Sequence, residues 1–325
     1  MIQSVSPLLS ARHLSTHFPI TGGLWHKTVG HVCAVHDVSL EIFPGEVVAL
    51  VGESGCGKST LGFSLLGLTP PTSGEIELRG DRIDIGRPTA WKPYRKDFQI
   101  IFQDPYTALN PRLTVFELLS EPLLAHDLVP RSGLRDAAAD LLRQVGLSPD
   151  ALDRFPHAFS GGQRQRLCIA RALGLRPKLI VCDEVVSALD VSVQAQIVNL
   201  LLDLKRDHGL SLLFITHDLS LVRSIADRVL VMYLGGIVET APTGDLFRAP
   251  RHPYTRALMD AIPTLDKNKR PMPLEGELPS SSNPPPGCAF ASRCPRVMAR
   301  CRVEKPELVM EGNRSVACFD PLTEW

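Results

Sequence analysis

The sequence contains no apolar run approaching the ~18 residues that a membrane-spanning helix requires, so contact with a membrane is expected only through a partner. It carries no net charge, because Lys plus Arg and Asp plus Glu each number 35. That balance speaks against broad electrostatic binding to nucleic acid. The start, Met1-Ile2-Gln3-Ser4, lacks the basic residues and long apolar core of a signal peptide, which points to the cytosol. No internal repeat is evident. Cysteine is not scarce: of eight, Cys33, Cys56, Cys168 and Cys182 are scattered through the first 262 residues, and four crowd the C-terminus. In a reducing cytosol these are expected as thiols or metal ligands rather than disulfides. At 325 residues and 44% apolar composition, the chain is expected to form a main globular domain with an appendage.

The most informative stretch is Gly52-Glu53-Ser54-Gly55-Cys56-Gly57-Lys58-Ser59-Thr60. It fits the P-loop pattern G-x-x-x-x-G-K-[ST] at every fixed position. An apolar run over 47–51 precedes it as a buried strand, and 61–68 follows as a helix. Gly52, Gly55 and Gly57 let the backbone turn with no Cβ in the way. The freed N–H groups converge on a concavity that suits anions. A helix starting near Gly57 adds unpaired N–H groups and the positive end of its dipole. Lys58 is expected to reach the β- and γ-phosphates of a nucleotide, and the Ser59 hydroxyl to ligate Mg²⁺. A chance Gly-rich turn would need coincidence at every fixed position.

Along the chain, residues 8–18 and 32–51 alternate apolar and polar positions around the turn signal Pro44-Gly45. They read as antiparallel strands leading into a central sheet. Residues 75–78 form a short strand after the breakers Pro70-Pro71 and Ser73-Gly74. Helical spacing over 115–124, 134–145 and 162–173, with no strand between, marks a helical insertion. An apolar strand at 179–182, a helix over 191–208 closed by Gly209 and a strand at 211–216 make a parallel crossover. Residues 228–240 read as a hairpin through Gly235-Gly236. From 263 to 286 the chain is rich in proline, serine and charge, and its run Lys267-Asn268-Lys269-Arg270 is expected to be solvated. The expected division is a nucleotide-binding domain over 1–262 with a helical subdomain about 104–175, a Pro-rich linker over 263–287 and a four-cysteine module over 288–325.

The strand at 179–182 runs into Asp183-Glu184. In P-loop enzymes an Asp at such a strand end helps hold Mg²⁺, and Glu184, one step on, is placed to deprotonate a water facing the γ-phosphate. Two acids at a strand end are more often merely solvated; the P-loop upstream reverses those odds. The strand at 211–216 ends in His217. Parallel strands present their C-terminal ends on one edge, where ligands sit in open α/β sheets, so a γ-phosphate contact is expected rather than a surface histidine. Ser160-Gly161-Gly162-Gln163 opens a helix with Ser160 as a natural N-cap and a bare N-terminus behind it.

The P-loop, Ser160–Gln163, Asp183-Glu184, Ser187-Ala188-Leu189-Asp190 and Thr216-His217-Asp218 occur in this order, and together they resemble the nucleotide-binding subunit of an ATP-binding cassette (ABC) transporter. The resemblance implies an α/β, P-loop NTPase fold of ABC type with an antiparallel β subdomain, a helical insertion and a small cysteine-bearing tail. It implies that Gln103, in Ile101-Phe102-Gln103-Asp104-Pro105, contacts Mg²⁺ and relays nucleotide state, and that Phe18 stacks on adenine. Gln103-Asp104-Pro105-Tyr106, Leu109-Asn110-Pro111-Arg112, Asp190–Gln196, His252-Pro253-Tyr254-Thr255 and the tail are similar to the oligopeptide/dipeptide importer ATPases. With His17-Phe18-Pro19 and Val29-Gly30-His31-Val32, the chain resembles their second, F-type subunit. Relatives also serve nickel, glutathione and oligosaccharide importers.

The family implies a head-to-tail dimer with a similar but non-identical ATPase, in which Ser160–Gln163 of one subunit closes over ATP held by the other. It also implies two permease subunits, an external binding protein reached through them, and a peripheral place on the cytoplasmic face of the inner membrane. Three departures stand out: Val185-Val186 replace the usual Pro-Thr after the catalytic Glu and read as a strand end, Phe159 replaces Leu before Ser160, and Ala108 stands where Ser is common. Alternative classes are a soluble ABC ATPase acting on ribosomes or DNA, against which one cassette and neutral charge speak, and a non-hydrolysing interaction module, against which Lys58, Glu184 and His217 speak.

In the tail, Cys288, Cys294, Cys301 and Cys318 are spaced C-x5-C-x6-C-x16-C. Structural zinc usually shows C-x2-4-C knuckles, which neither short spacing matches. Four thiolates suit an iron–sulfur cluster, echoed weakly by Cys294-Pro295. The matching tails of the resembled family are associated with a [4Fe–4S] cluster, which places this above zinc, the main rival.

Overall fold

Pro44 and Gly45 form a turn, with Gly45 at φ +73°, that ends one sheet before the next begins. In the computed structural model, which describes residues 6–22, 27–262, 276–277 and 279–323, β1 (Leu9–Gly22) and β2 (Lys27–Ile42) pair antiparallel. The buried β3 (Val47–Val51) runs into α1 (Lys58–Leu65). β4 (Ser73–Leu78) and β5 (Asp81–Ile83) complete a four-stranded sheet of order β2-β1-β4-β5. The first strands therefore do not lead into the sheet that carries the P-loop; they form one of their own. Nor is their alternation strict. Several register shifts interrupt the β1–β2 ladder, His13 and Asp37 take positive φ, and Leu9, Ser10 and Ala11 are all buried in succession.

Next come β6 (Phe98–Ile101), α2 (Pro105–Ala108), α3 (Val115–Ala125), α4 (Leu134–Gln144), α5 (Gly161–Leu173) and β7 (Leu179–Asp183). They are followed by α6 (Val191–His208), β8 (Ser211–Thr216), α7 (Leu219–Ile225), β9 (Arg228–Tyr233), β10 (Gly236–Pro242), α8 (Thr243–Arg248) and α9 (Pro253–Asp260). The short β11 (Val309–Glu311) and β12 (Arg314–Val316) close the described chain. α6 stops at Gly209, whose left-handed φ of +65° suits a residue without Cβ.

Two compact units emerge. The first gathers residues 1–42, 47–90 and 215–325. Its strands run β11-β12-β10-β9-β3, with β3 parallel to β9 and the remaining pairs antiparallel. The tail thus adds a hairpin to the edge of β10, and Phe290, Tyr233 and Tyr254 join one buried cluster. The second unit gathers 43–46 and 91–214. There β6 and β7 are parallel, and α3, α4 and α5 pack through buried Leu118, Leu119, Leu142 and Leu167. The Lys267–Arg270 run and Met1–Ser4 lie outside the described residues.

Candidate functional site

In the first unit, the loop 52–57 joins β3 to α1 with two close approaches that exclude side chains. A Cβ on Gly57, at φ +106°, would lie 2.0 Å from the Ala34 carbonyl oxygen. One on Gly52 would lie 2.2 Å from the Met232 carbonyl oxygen. Lys58 is buried, and its ammonium donates to the carbonyls of Gly52 and Glu53, both at 2.9 Å. The positive charge is therefore pinned inside the loop's curve, beside the N-terminus of α1, where an anion is best stabilised. Ser54 and Gly55 are exposed, Ser59 and Thr60 half-buried, and Cys56 is a buried thiol whose ionisation burial opposes. Phe18 on β1 is exposed. His217 follows β8 and is exposed; Asp218 beside it caps α7 by accepting from Ser220 and Leu221 N–H.

The same unit holds partners of the loop that sequence reasoning missed. The Glu53 N–H donates to the Tyr254 hydroxyl at 2.9 Å. The Glu53 carboxylate takes a bidentate pair from Arg293 at 2.6 and 3.0 Å, and Arg293 is only 4% exposed. Glu53 raises the Arg293 pKa still further, keeping the guanidinium charged. Phe290 packs edge-on against Tyr233 at 5.3 Å and near Tyr254 at 5.4 Å. The only sequence signal was the His252-Pro253-Tyr254-Thr255 stretch, and nothing in it pointed at the P-loop.

Cys288, Cys294, Cys301 and Cys318 line one cavity together with Phe290, Arg296 and Phe319. Burial, reinforced by the neighbouring thiols, pushes the Cys288 and Cys294 thiols up and Cys318 to about 11. Four thiols are soft donors of the kind that a thiophilic metal or cluster takes as thiolates. The close passage of Gly287 helps shape it: a Cβ there would lie 2.3 Å from the Cys301 carbonyl oxygen.

In the second unit, β7 ends at Asp183, which is buried, and Glu184 adopts a left-handed φ of +46°. A non-glycine residue held there stores backbone strain of about 1–2 kcal/mol. The turn is secured by Ser187, whose N–H and hydroxyl donate to the Glu184 carbonyl at 3.1 and 2.9 Å. Val185 and Val186 are not a strand end; they lie in this turn with their side chains buried, an apolar substitute that leaves the carboxylates in place. The Gln103 amide donates to the Glu184 carboxylate at 3.1 Å, so its carbonyl oxygen is left as an acceptor.

Ser160 caps α5 as expected, and Gln163 closes a capping box: Ser160 N–H donates to Gln163 at 3.0 Å, and Gln163 N–H to the Ser160 hydroxyl at 3.4 Å. Gly161 and Gly162 stand at the first turn, where a Cβ on Gly162 would meet Val193 at 2.5 Å. α5 is also tied to the Gln103 segment. The Arg164 guanidinium lies 3.9 Å over the exposed Tyr106 ring on α2, and Arg171 donates to the Ala108 carbonyl.

Residues 35–187 match the family described as "ABC transporter", and residues 238–301 match "Oligopeptide/dipeptide transporter, C-terminal region". A probable peptide ABC transporter ATP-binding protein of Sinorhizobium fredii is 51% identical over 314 residues, covering 96% of this chain and 89% of its own. The oligopeptide transport ATP-binding protein of Escherichia coli is 48% identical over 327 residues, covering 97% of each chain. Among solved structures, a dimeric ATP-binding cassette in a post-hydrolysis state with ADP and Pi superposes with a TM-score of 0.64 at 26% identity, covering 72% of this chain and 98% of the other.

Proposed function

The chain belongs to the ATP-binding subunits of ABC transporters that carry the oligopeptide/dipeptide C-terminal region, and from that premise we propose that it hydrolyses ATP to drive import of peptides. The observation that carries this reading is the likeness over nearly the whole chain, tail included, to a protein named for oligopeptide transport. The Lys58 cradle and the Gln103–Glu184 pair supply the chemistry.

In this reading Gly52–Thr60 receives the phosphates. The backbone N–H groups and the Lys58 ammonium, already oriented by the loop's own carbonyls, neutralise charge with little reorganisation. Phe18 supports adenine. Ser59, Asp183 and Gln103 each carry an oxygen donor of the kind that Mg²⁺, a hard cation, takes, and the ion would offset phosphate charge. Glu184 accepts the proton of the attacking water; its strained backbone and the Gln103 hydrogen bond aim its carboxylate. His217 steadies the γ-phosphate. Ser160, Gly161, Gly162 and Gln163 present a capped helix end to the nucleotide of a second, similar ATPase subunit in a head-to-tail dimer. The exposed Phe102 and Tyr106 adjoin Gln103 and suit a permease contact, and the Arg164–Tyr106 stack couples that contact to α5.

The proposed setting is peripheral, at the cytoplasmic face of the membrane, with two permease subunits and an external binding protein. The proposed domains keep 1–262 as the cassette, with its helical part about 104–175, then a linker over 263–287 and the four-cysteine segment over 288–325. The cysteine cavity is proposed to hold a [4Fe–4S] cluster, a reading supported by four thiols lining one cavity, with zinc as the rival. No observation favours action on ribosomes or DNA.

The test is reconstitution of the full transporter in vesicles with its binding protein. ATP-dependent uptake of labelled di- and oligopeptides is expected, and uptake of nickel, glutathione or an oligosaccharide without peptides would overturn the substrate class.

A further inference from the structure

Away from the four-cysteine cavity, His17, Cys33 and His36 each offer one ligand atom, and these atoms all lie within 4.8 Å of one another. All three belong to the first unit. Strand register explains how they meet. His17 on β1 stands directly opposite Cys33 on β2, a pairing that brings Cβ atoms to about 5 Å. Cys33 and His36 are three apart, so in a regular strand they would project from opposite faces. β2 is not regular here. Thr16 pairs with Val35 while His17 pairs with Cys33, which leaves Ala34 as an extra, bulged residue. Between Val35 and Val38 the strand again takes three steps against the two from Thr16 to Leu14. His36 and Asp37 therefore share the level of Ser15, two residues from His17 and on its face; the Asp37 N–H donates to the Ser15 hydroxyl. Bulges re-aim side chains in this way.

A second observation points to a ligand. The Nε2 of His17 is buried with no hydrogen-bond partner among the described residues. Among the described residues, Cys33 Sγ reaches only the Val35 carbonyl, at a long 3.8 Å. The His36 Nε2 lies 3.0 Å from the Lys305 ammonium, so that nitrogen presents its lone pair to a cation already. Asp37 is engaged elsewhere, by His13 Nδ1 at 2.7 Å. The three ligands line a solvent-connected cleft that also contains His13, Asp37 and Lys305, which provides an entry path.

We propose that His17, Cys33 and His36 form a second metal site that takes a borderline-soft divalent ion, zinc(II) being the type case. Two imidazoles and a thiolate select such an ion over Mg²⁺ or Ca²⁺, and three protein ligands leave a fourth position for water. Binding releases the Cys33 thiol proton to solvent, since the thiolate is the ligand. Lys305, drawn from the tail between Cys301 and Cys318, competes for His36 and is displaced as the metal enters.

The test uses the full chain, purified anaerobically under reducing conditions, stripped with chelator and titrated with Co²⁺. Wild type is expected to bind one equivalent more than Cys33→Ala and to show an added thiolate-to-cobalt charge-transfer band that this variant lacks. The tail thiols contribute an equal background to both. His36→Gln, an exposed substitution that leaves the core intact, is expected to weaken the additional site by about tenfold or more, and Lys305→Ala to tighten it. His17→Ala should act as His36→Gln does, with its fold checked by circular dichroism. Equal stoichiometry and spectra in wild type, Cys33→Ala and His36→Gln would overturn the site. So would a loss confined to Cys33→Ala with His36→Gln unchanged.

Discussion

Glu184 combines a strained backbone with a carboxylate that receives the Gln103 amide. Replacing it with glutamine removes only the base. Glu184→Gln in the assembled transporter is expected to keep ATP binding and to cut turnover by about 10²-fold or more. ATPase rates alongside equilibrium nucleotide binding check this; near-parental turnover would reassign the base. His252 gives a second prediction at this scale. Burial holds its pKa at about 3, against the ordinary 6.5, and its Nδ1 accepts from the Tyr254 N–H. The unfolded chain therefore takes up a proton below about pH 6.5 that the folded chain refuses until about pH 3. Stability contributed by neutral His252 is complete above 6.5 and is lost as pH falls through that window, at up to about 1.4 kcal/mol per pH unit. Denaturant unfolding between pH 7 and pH 4 should show this slope in wild type and a shallower one in His252→Gln. Equal slopes would move the effect to other groups.

At the scale of elements, the tail segment around Phe290 and Arg293 acts as a brace for the P-loop. Arg293 bridges 240 residues of sequence to hold the Glu53 carboxylate, and Phe290 seats edge-on beside Tyr233 and Tyr254. Aromatic pairs of this kind contribute about 0.5–1.5 kcal/mol beyond their buried area. Arg293→Ala leaves Glu53 without that partner; because Glu53 is 29% exposed, water recovers part of the loss. A destabilisation of about 1–3 kcal/mol is expected, below the full cost of breaking a buried pair. ATP affinity should fall as well, because the loop's second residue is released while Lys58 is untouched. Thermal unfolding and calorimetry check both effects, and Arg293→Lys should recover only part, since lysine cannot form the bidentate pair. Unchanged melting and unchanged affinity would reduce the brace to a surface ion pair.

At the scale of the molecule, the four-cysteine cavity ties the tail segment to the rest of the first unit through Cys288 and Cys294, which pack against that unit's apolar cluster. Cys301→Ser is expected to abolish iron in anaerobically purified protein and to expose the tail to proteolysis, while ATP still binds, with affinity lowered no further than in Arg293→Ala. Brown parental protein with a broad visible absorption that air bleaches supports the cluster. Colourless parental protein with one zinc would assign the cavity to zinc.

The sequence alone determined what is local. A P-loop needs glycines and a lysine at fixed spacing, so Gly52–Thr60 was legible before any contact was known. α6 and β8 were legible to their ends because Gly209 stops the one and apolar run length defines the other. The Ser160 cap was legible because capping is settled within four residues. Only the tertiary structure decided what depends on distant segments meeting. The crowding of four cysteines over 288–318 suggested a common ligand, but only the fold shows them lining one cavity, and Glu53 says nothing of Arg293. The alternation over 8–18 and 32–51 assumed period-two strands, whereas bulges opposite Thr16 and Ser15 put Cys33 and His36 on one face. Valines at 185–186 suggested a strand, yet Ser187 and the left-handed Glu184 bend the chain there. Propensity and period act over a few residues; register, bulges and long-range ion pairs are settled by the packing of the whole fold.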